Sequence, residues 1–462
     1  MLLALGDGIE FVAAWYAVIK IGGVSAEAYT FLQPKDYAYY INYTGARVVV
    51  TDAATLGGIR SASGDCPALR HIVIAGGSDA PPAQLDAATG ARVVQEHQLS
   101  SLMRGAPDDL DAADTSKDDV ALWKFTTGST GAPKAAVHAH YHPVINYHAY
   151  ALGVLGLRDN DVVLPVPKLF FGYARDLTTL YPFGVGAAGI VFPDRSTPER
   201  IFALVARHRP TILVQVPTML HAMAGHPGAR SHDLSSVRVC TSAGEALPTE
   251  IYQQWKGAYG VEVLDGIGSS EMYHIYISNR PGQVRPGSVG TLVPGYEARV
   301  ADPDGRTLEP GAVGELWVGG ESAALMYWNE PEKSRETFHG RWVRTGDLFR
   351  QDAGGNFWYQ GRADDLLKVG GIWVAPLEIE NCLLEHDAVM ECAVAGFEQN
   401  GLILPRAHVV VRDGTGSPDL ASELQAFVRA RLSPHKYPRD VRFLDRLPRT
   451  PTGKIDRKAL AR

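Results

Sequence analysis

Cysteine is scarce, long apolar runs are missing, and neither sign of charge dominates; each shortage excludes something. The four cysteines, Cys66, Cys240, Cys382 and Cys392, form no C-x-x-C pair and stand beside no cluster of histidines. That sets aside a disulfide framework and a zinc site, and the thiols read as those of a protein in a reducing cytoplasm. No apolar run approaches the roughly 20 residues that a bilayer-spanning helix needs. The start, Met1-Leu-Leu-Ala-Leu5, is apolar but short. It lacks basic residues and is interrupted at once by Gly6, Asp7 and Glu10, so it does not read as a signal peptide. A formal net charge of −7 argues against a general binder of nucleic acid or of membrane surfaces. A local cationic site for phosphates stays open, because net charge does not describe a cleft.

What is present fits a globular protein. Hydrophobic residues make up 45% and charged residues 21% of 462 residues, too long a chain for one ordinary core, so two or three packed units are expected. Residues 2–5 read as a strand, 6–8 as a turn and 10–20 as an amphipathic helix. Residues 46–51 (ARVVVT) are a β-branched buried strand, and the alternation predicts an α/β sheet. Residues 53–118 look less regular, with 105–119 an acidic surface loop. Further on, 161–165 and 211–216 read as strands, and 197–208 as a helix opened by Thr197-Pro198. From Val284 onward, Gly and Pro separate short strands such as 314–318, which suggests a smaller β-rich unit. Beyond residues 361–365 the pattern is helix 376–385, strands 389–396 and 407–411, and helix 421–432: a compact α+β tail of about 100 residues. There are no internal repeats.

The most informative segment is Thr126-Thr-Gly-Ser-Thr-Gly-Ala-Pro-Lys134, which follows the apolar run 120–125. Glycines let backbone N–H groups approach an anion, hydroxyls add donors, and a lysine adds a mobile positive charge. A nucleotide triphosphate needs this combination. The Walker pattern G-x-x-x-x-G-K-[ST] does not fit.

This segment resembles the phosphate loop of the adenylate-forming superfamily, which comprises acyl-CoA synthetases, peptide-synthetase adenylation domains and beetle luciferases. The resemblance covers nearly the whole chain, because further motifs follow in that family's order. Ser242-Ala-Gly-Glu-Ala-Leu-Pro248 is similar to the adenine-side segment. Gly266-Ile-Gly-Ser-Ser-Glu271 resembles Y-G-x-T-E, with Ile267 for Tyr and Ser270 for Thr. Arg344-Thr-Gly-Asp347 resembles the ribose-binding T-G-D. Gly361-Arg362 and Lys368-Val-Gly-Gly371 resemble the hinge region, and Pro451-Thr-Gly-Lys454 the segment of the C-terminal catalytic lysine. Within the superfamily, Lys168-Leu-Phe-Phe-Gly-Tyr173, Gly268-Ser-Ser-Glu-Met-Tyr-His274 and His435-Lys-Tyr-Pro-Arg439 read like benzoate-type aryl-CoA ligases.

The resemblance implies an α/β architecture. A large N-terminal adenylation domain, 1–363, with a distorted β-barrel subdomain would be followed by a small mobile α+β lid, 364–462. Relatives usually carry some tens of residues before the segment that begins here at Met1. The implied reaction is ATP-dependent activation of a small aromatic acid to an acyl-adenylate and then to its coenzyme A thioester. ATP, Mg²⁺ and coenzyme A are the implied cofactor and co-substrates.

Such a reaction must bring two anions together, carboxylate and α-phosphate, which fixed N–H donors, a metal ion and a lysine can make possible. The resemblance assigns the catalytic roles to Lys454, Glu271 and Ser270, with Glu271 as the magnesium ligand because a hard cation shared with phosphates takes one or two carboxylates. It assigns ATP/AMP binding to Thr126, Thr127, Gly128, Ser129, Thr130, Gly131, Lys134, Ser242, Gly244, Glu245, Asp265, Gly266, Ile267, Gly268, Asp347 and Arg362. Asp347 would accept hydrogen bonds from both ribose hydroxyls. Asp364 takes the hinge position, and Gly370 and Gly371 would line the thiol channel. Ala135 stands where relatives usually have glycine, a change that matters only if φ must be positive.

Phe170, Tyr173 and His274 are the acid-pocket candidates, flat apolar walls with polar tips. His274 reads equally well as a carboxylate-orienting group or as a satisfied core histidine. Expected partners are the acid, ATP and coenzyme A, with no nucleic acid and no membrane, in a monomer or homodimer. Three alternatives stand beside this reading: loading of a carrier protein's phosphopantetheine, an impaired paralogue that only binds, and, least of all, a luciferase-like oxygenase.

Overall fold

The fold is that of a computed structural model, which describes residues 1–76, 84–86, 93–126, 132–369, 372–399, 402–412, 414–450 and 455–461. An eight-stranded sheet occupies the first part. Its order is Gln84–Asp86, Val93–Gln98, His71–Ala75, Val48–Asp52, Leu2–Ala4, Ser25–Glu27, Val120–Thr126 and Lys134–Ala139. All neighbours pair in parallel except the two edge pairs. Strands of this kind are covered by helices on both faces, which is why 48–50 reads as an unbroken run of valines.

The expectation of an irregular stretch over 53–118 is corrected. That stretch holds the helix Ala53–Ser63, the strands His71–Ala75, Gln84–Asp86 and Val93–Gln98, and the helix Leu99–Gly105. Residues 93–98 spell VVQEHQ, whose polar half hides strand character until a partner strand is known. Beyond Gly105 the chain is exposed as far as residue 119 except at half-buried Ala113, as expected of an acidic loop.

A seven-stranded sheet follows, in the order Ala188–Gly189, Val162–Pro165, Ile212–Gln215, Val239–Ser242, Val263–Gly268, Ile275–Ser278 and Thr291–Leu292. Its first five strands are parallel. The helix Pro198–His208 shows how local sequence builds it. The Thr197 side chain caps the Arg200 N–H, Pro198 suits the first turn, and Ile201, Phe202, Leu204 and Val205 form its buried stripe. The β-rich unit is a five-stranded antiparallel sheet centred on Trp342–Gln351, which pairs with Val313–Gly319, Phe338–His339 and Phe357–Arg362.

One apolar cluster runs through all three sheets, from Leu3 and Leu5 through Val163 and Val214 to Tyr276, Val318 and Phe349. The tail has its own clusters, under a sheet of Val389–Gln399, Leu402–Val411 and Asp440–Phe443 and the helices Pro376–Leu384 and Pro418–Arg431. All four cysteines are buried, and none is in a disulfide among the described residues. No helix among the described residues is long and apolar enough to cross a membrane.

Candidate active site

Strand 120–126 and strand 134–139 form an antiparallel pair with Thr126 opposite Lys134, so the glycine- and hydroxyl-rich segment is the connection between two paired strands. Thr127, Gly128, Ser129, Thr130 and Gly131 lie outside the described residues. Ala135 sits in the strand without a positive φ, so its methyl group is tolerated there. Lys134 is half-buried. Its Nζ lies 3.7 Å from the centre of the Tyr327 ring, and burial pulls its pKa below the ordinary lysine value.

Ser242 and Asp265 face each other at the ends of two parallel strands, where ligands of open α/β sheets bind. Asp265 is buried, and burial pushes its carboxyl up to about 8. The strand continues through Gly266, Ile267 and Gly268 into the turn carrying Ser270 and Glu271. The Ser270 carbonyl accepts a 2.7 Å hydrogen bond from His138 Nε2, whose other ring nitrogen is 2.8 Å from His142 Nδ1. A carbonyl can only accept, so the His138 proton is on Nε2 and His142 donates to it.

Glu271 Oε1 accepts a 2.6 Å hydrogen bond from the Tyr327 hydroxyl. Glu271 forms no ion pair among the described residues, which leaves a hard oxygen donor able to meet Mg²⁺ shared with phosphates. Gly244 adopts φ +92°, and Glu245 accepts a 2.6 Å hydrogen bond from Thr218.

Asp347 and Arg362 are opposed across the β-rich sheet, with Nη1 3.1 Å from Asp347 Oδ1. The same Nη1 donates to the Thr345 carbonyl at 3.0 Å, and Arg362 Nε donates to Asp364 at 3.1 Å. Burial alone would lower the Arg362 pKa, but the charges of Asp347 and Asp364 hold it above the ordinary arginine value. Gly346 is required here. Its φ is +70°, and a Cβ would stand 2.8 Å from Arg362 Nη2.

On the acid side, Phe170 packs edge-on to Tyr29 and Phe31 at 5.2 and 5.8 Å, and the Tyr173 hydroxyl meets Thr241 Oγ1 at 2.6 Å. His274 is buried among Tyr150, Tyr173 and Tyr181. Its Nε2 donates to the Tyr173 carbonyl at 3.2 Å, and burial holds its pKa down to about 3, so the ring is neutral at physiological pH. Gly370, Gly371 and Lys454 lie outside the described residues.

Two groups near these residues escape sequence reasoning. Tyr327 lies in the apolar stretch Leu325-Met-Tyr-Trp328, with no local mark of function. Lys124 has a signal, a lysine inside the apolar strand VALWKFT. It is buried, bonded to Asp176 at 2.9 Å and to the Tyr273 carbonyl at 2.6 Å.

Comparison with known proteins adds an independent line. The sequence model of the AMP-binding enzyme family matches residues 1–328, and that of the AMP-binding enzyme C-terminal domain matches 378–454. The chain is 40% identical over 460 residues to a benzoate–CoA ligase of Thauera aromatica, covering 99% of this chain and 84% of that protein. A solved benzoate CoA ligase from Burkholderia xenovorans LB400 superposes with a TM-score of 0.89 at 40% identity, covering 100% of this chain and 89% of that one. An anthranilate CoA ligase solved with anthranoyl-AMP superposes with a TM-score of 0.91 at 37% identity, covering 99% and 86% of the two chains.

Proposed function

Because the chain belongs to the AMP-binding enzyme family, we propose that it activates a benzoate-type aromatic acid with ATP and passes the acyl group to coenzyme A. One observation carries the reading within the site: Lys134 and the turn with Glu271 are brought together on either side of one aromatic ring, beside the strand pair that flanks the phosphate segment. The aromatic wall of Phe170, Tyr173 and neutral His274 supports a flat acid.

In the first step a carboxylate oxygen bonds to the α-phosphorus of ATP and pyrophosphate leaves. Lys134 holds the departing phosphates. Glu271 would hold Mg²⁺, which when bound would supply neutralisation of phosphate charge. Lys454 neutralises the two approaching anions. Ser270 contacts phosphate, and Asp347, set by Arg362, accepts from the ribose hydroxyls. In the second step the thiol sulfur bonds to the acyl carbon, the thiol proton is lost, and AMP leaves. Rotation of the tail near Asp364 exchanges the two arrangements, with the boundary between the large and small units at that residue. Gly370 and Gly371 line the path of the thiol arm.

Asp347→Ala removes an ionised acceptor from the ribose. Hydrogen bonds to charged groups contribute roughly 1.5–3 kcal/mol, so KM for ATP should rise about 10- to 100-fold. KM for the acid should change little, and a matched rise in both would point to general damage instead.

The testing experiment is carboxylate-dependent ATP–pyrophosphate exchange over benzoates, hydroxy- and aminobenzoates and fatty acids, with coenzyme A in a parallel product assay. Exchange with an aryl acid and formation of its thioester is the expected result. Exchange without a coenzyme A product would move the acceptor to a carrier protein, and exchange with fatty acids alone would overturn the aromatic assignment.

A further inference from the structure

Lys134 and Glu271 carry opposite charges in one small space, yet no carboxylate among the described residues forms an ion pair with Lys134. The reason is visible between them. The Tyr327 ring lies under the ammonium at 3.7 Å, a cation–π contact, while its hydroxyl donates to Glu271 Oε1 at 2.6 Å. Tyr327 is only 3% exposed and cannot swing away.

Its backbone is fastened on both sides. Residue 327 bridges Ala136 in an antiparallel pairing, and Leu325 N–H donates to the Val137 carbonyl at 2.9 Å. On the other flank Ala324 N–H donates to the Glu271 carbonyl at 2.7 Å. The same short segment is thus tied to the strand that bears the lysine and to the turn that bears the glutamate.

We propose that Tyr327 is a positioning residue that keeps Lys134 and Glu271 apart, engaging each through a different part of one side chain. An ion pair between them would spend the phosphate-binding cation and the metal-binding carboxylate on each other before nucleotide arrives. A ring face attracts the ammonium without neutralising it, and a phenol hydroxyl satisfies one carboxylate oxygen while the charge remains. Both groups stay available, the lysine for phosphates and the glutamate for the cation. This inference rests on the proposed roles of Lys134 and Glu271.

The test is equilibrium binding of ATP in EDTA, which reads the lysine without the metal and without turnover. In Tyr327→Phe the ring stays but Glu271 loses its donor. Its nearest compensation is the ammonium, and metal-free ATP affinity should fall about tenfold, a change worth about 1.4 kcal/mol. Tyr327→Leu removes both contacts and should weaken binding at least as much.

The decisive variant is Tyr327→Phe combined with Glu271→Gln. With no carboxylate to capture the lysine, metal-free affinity of the double variant should equal that of Glu271→Gln alone although the hydroxyl is still missing. A merely structural role for Tyr327 would weaken binding in the Glu271→Gln background as much as in the wild type. Wild-type affinity in Tyr327→Phe, or failure of the double variant to match Glu271→Gln in a protein that melts like the wild type, overturns the proposal. Lys134→Met serves as the reference. If it also leaves ATP affinity unchanged, the nucleotide-site reading itself falls; if it weakens binding while Tyr327→Phe does not, only the spacer role falls.

Discussion

Lys454→Ala should slow carboxylate-dependent ATP–pyrophosphate exchange by about 10²- to 10³-fold, the usual effect of removing one group that stabilises developing charge in a water-excluded site. The physical reason is the encounter it serves. At 4 Å two like charges repel by roughly 4 kcal/mol at an effective dielectric constant of 20, and an acid and an α-phosphate must come closer than that. Lys454 lies in a segment flanked by anchored neighbours. Arg449 and Ile455 bridge each other, and Arg457 is ion-paired with Glu380 and donates to the Val394 carbonyl at 2.9 Å. The anchors belong to the tail, so under the proposed rotation of the tail Lys454 would serve only one of the two steps. Thioester formation from a supplied acyl-adenylate should therefore survive in Lys454→Ala. Single-turnover measurement of both half-reactions decides it, and an equal loss in both would sink the assignment of Lys454 to adenylation alone.

The parts of the site that could be read from sequence are those whose chemistry is contiguous in the chain. A run of glycines and hydroxyls ending in Lys134 declares a need for close anion approach, while the turn 266–271 and the triplet Thr345-Gly-Asp347 stand out only through their resemblance to family motifs. The folded chain then supplies pairings that no local pattern records. Tyr327 meets Glu271 across 56 positions, and His138 meets the Ser270 carbonyl across 132. Each of those side chains has an innocent local reading. The fold shows the same division. The helix 198–208, with its cap Thr197, carries cap, proline and apolar stripe in twelve consecutive residues and is legible. Strand 93–98 owes its existence to pairing with His71–Ala75 and reads poorly alone. From sequence alone His274 reads equally as carboxylate-orienting or as core, because its surroundings come from two distant segments, Tyr150 on one and Tyr173 and Tyr181 on the other. Burial lowers its pKa to about 3, which leaves the ring neutral at physiological pH.

Lys124→Met is expected to be the most destabilising of these substitutions, by about 3–5 kcal/mol, the range for breaking a buried ion pair by deleting one partner. Lys124 belongs to a buried tetrad. Its Nζ is 2.9 Å from Asp176, Arg175 reaches Asp176 at 2.8 Å and Glu27 at 2.6 Å, and all four side chains are nearly inaccessible. Two positive and two negative charges cancel, so removing one cation leaves a net negative charge in the core. It also strips the Tyr273 carbonyl of its 2.6 Å donor, and Tyr273 is held in the left-handed region at φ +71°, a conformation that costs energy unless its surroundings enforce it. The site is unforgiving on its other side too, since a Cβ at Gly172 would stand 2.2 Å from Lys124 Cε. Methionine keeps the volume of the stem, which separates loss of charge from loss of packing. Combining it with Asp176→Asn restores neutrality, so the double variant should be less destabilised than the sum of the two single variants. Denaturation of the four proteins measures that coupling. Strict additivity would mean that the tetrad does not act as one electrostatic unit and that the lysine matters only through the Tyr273 turn.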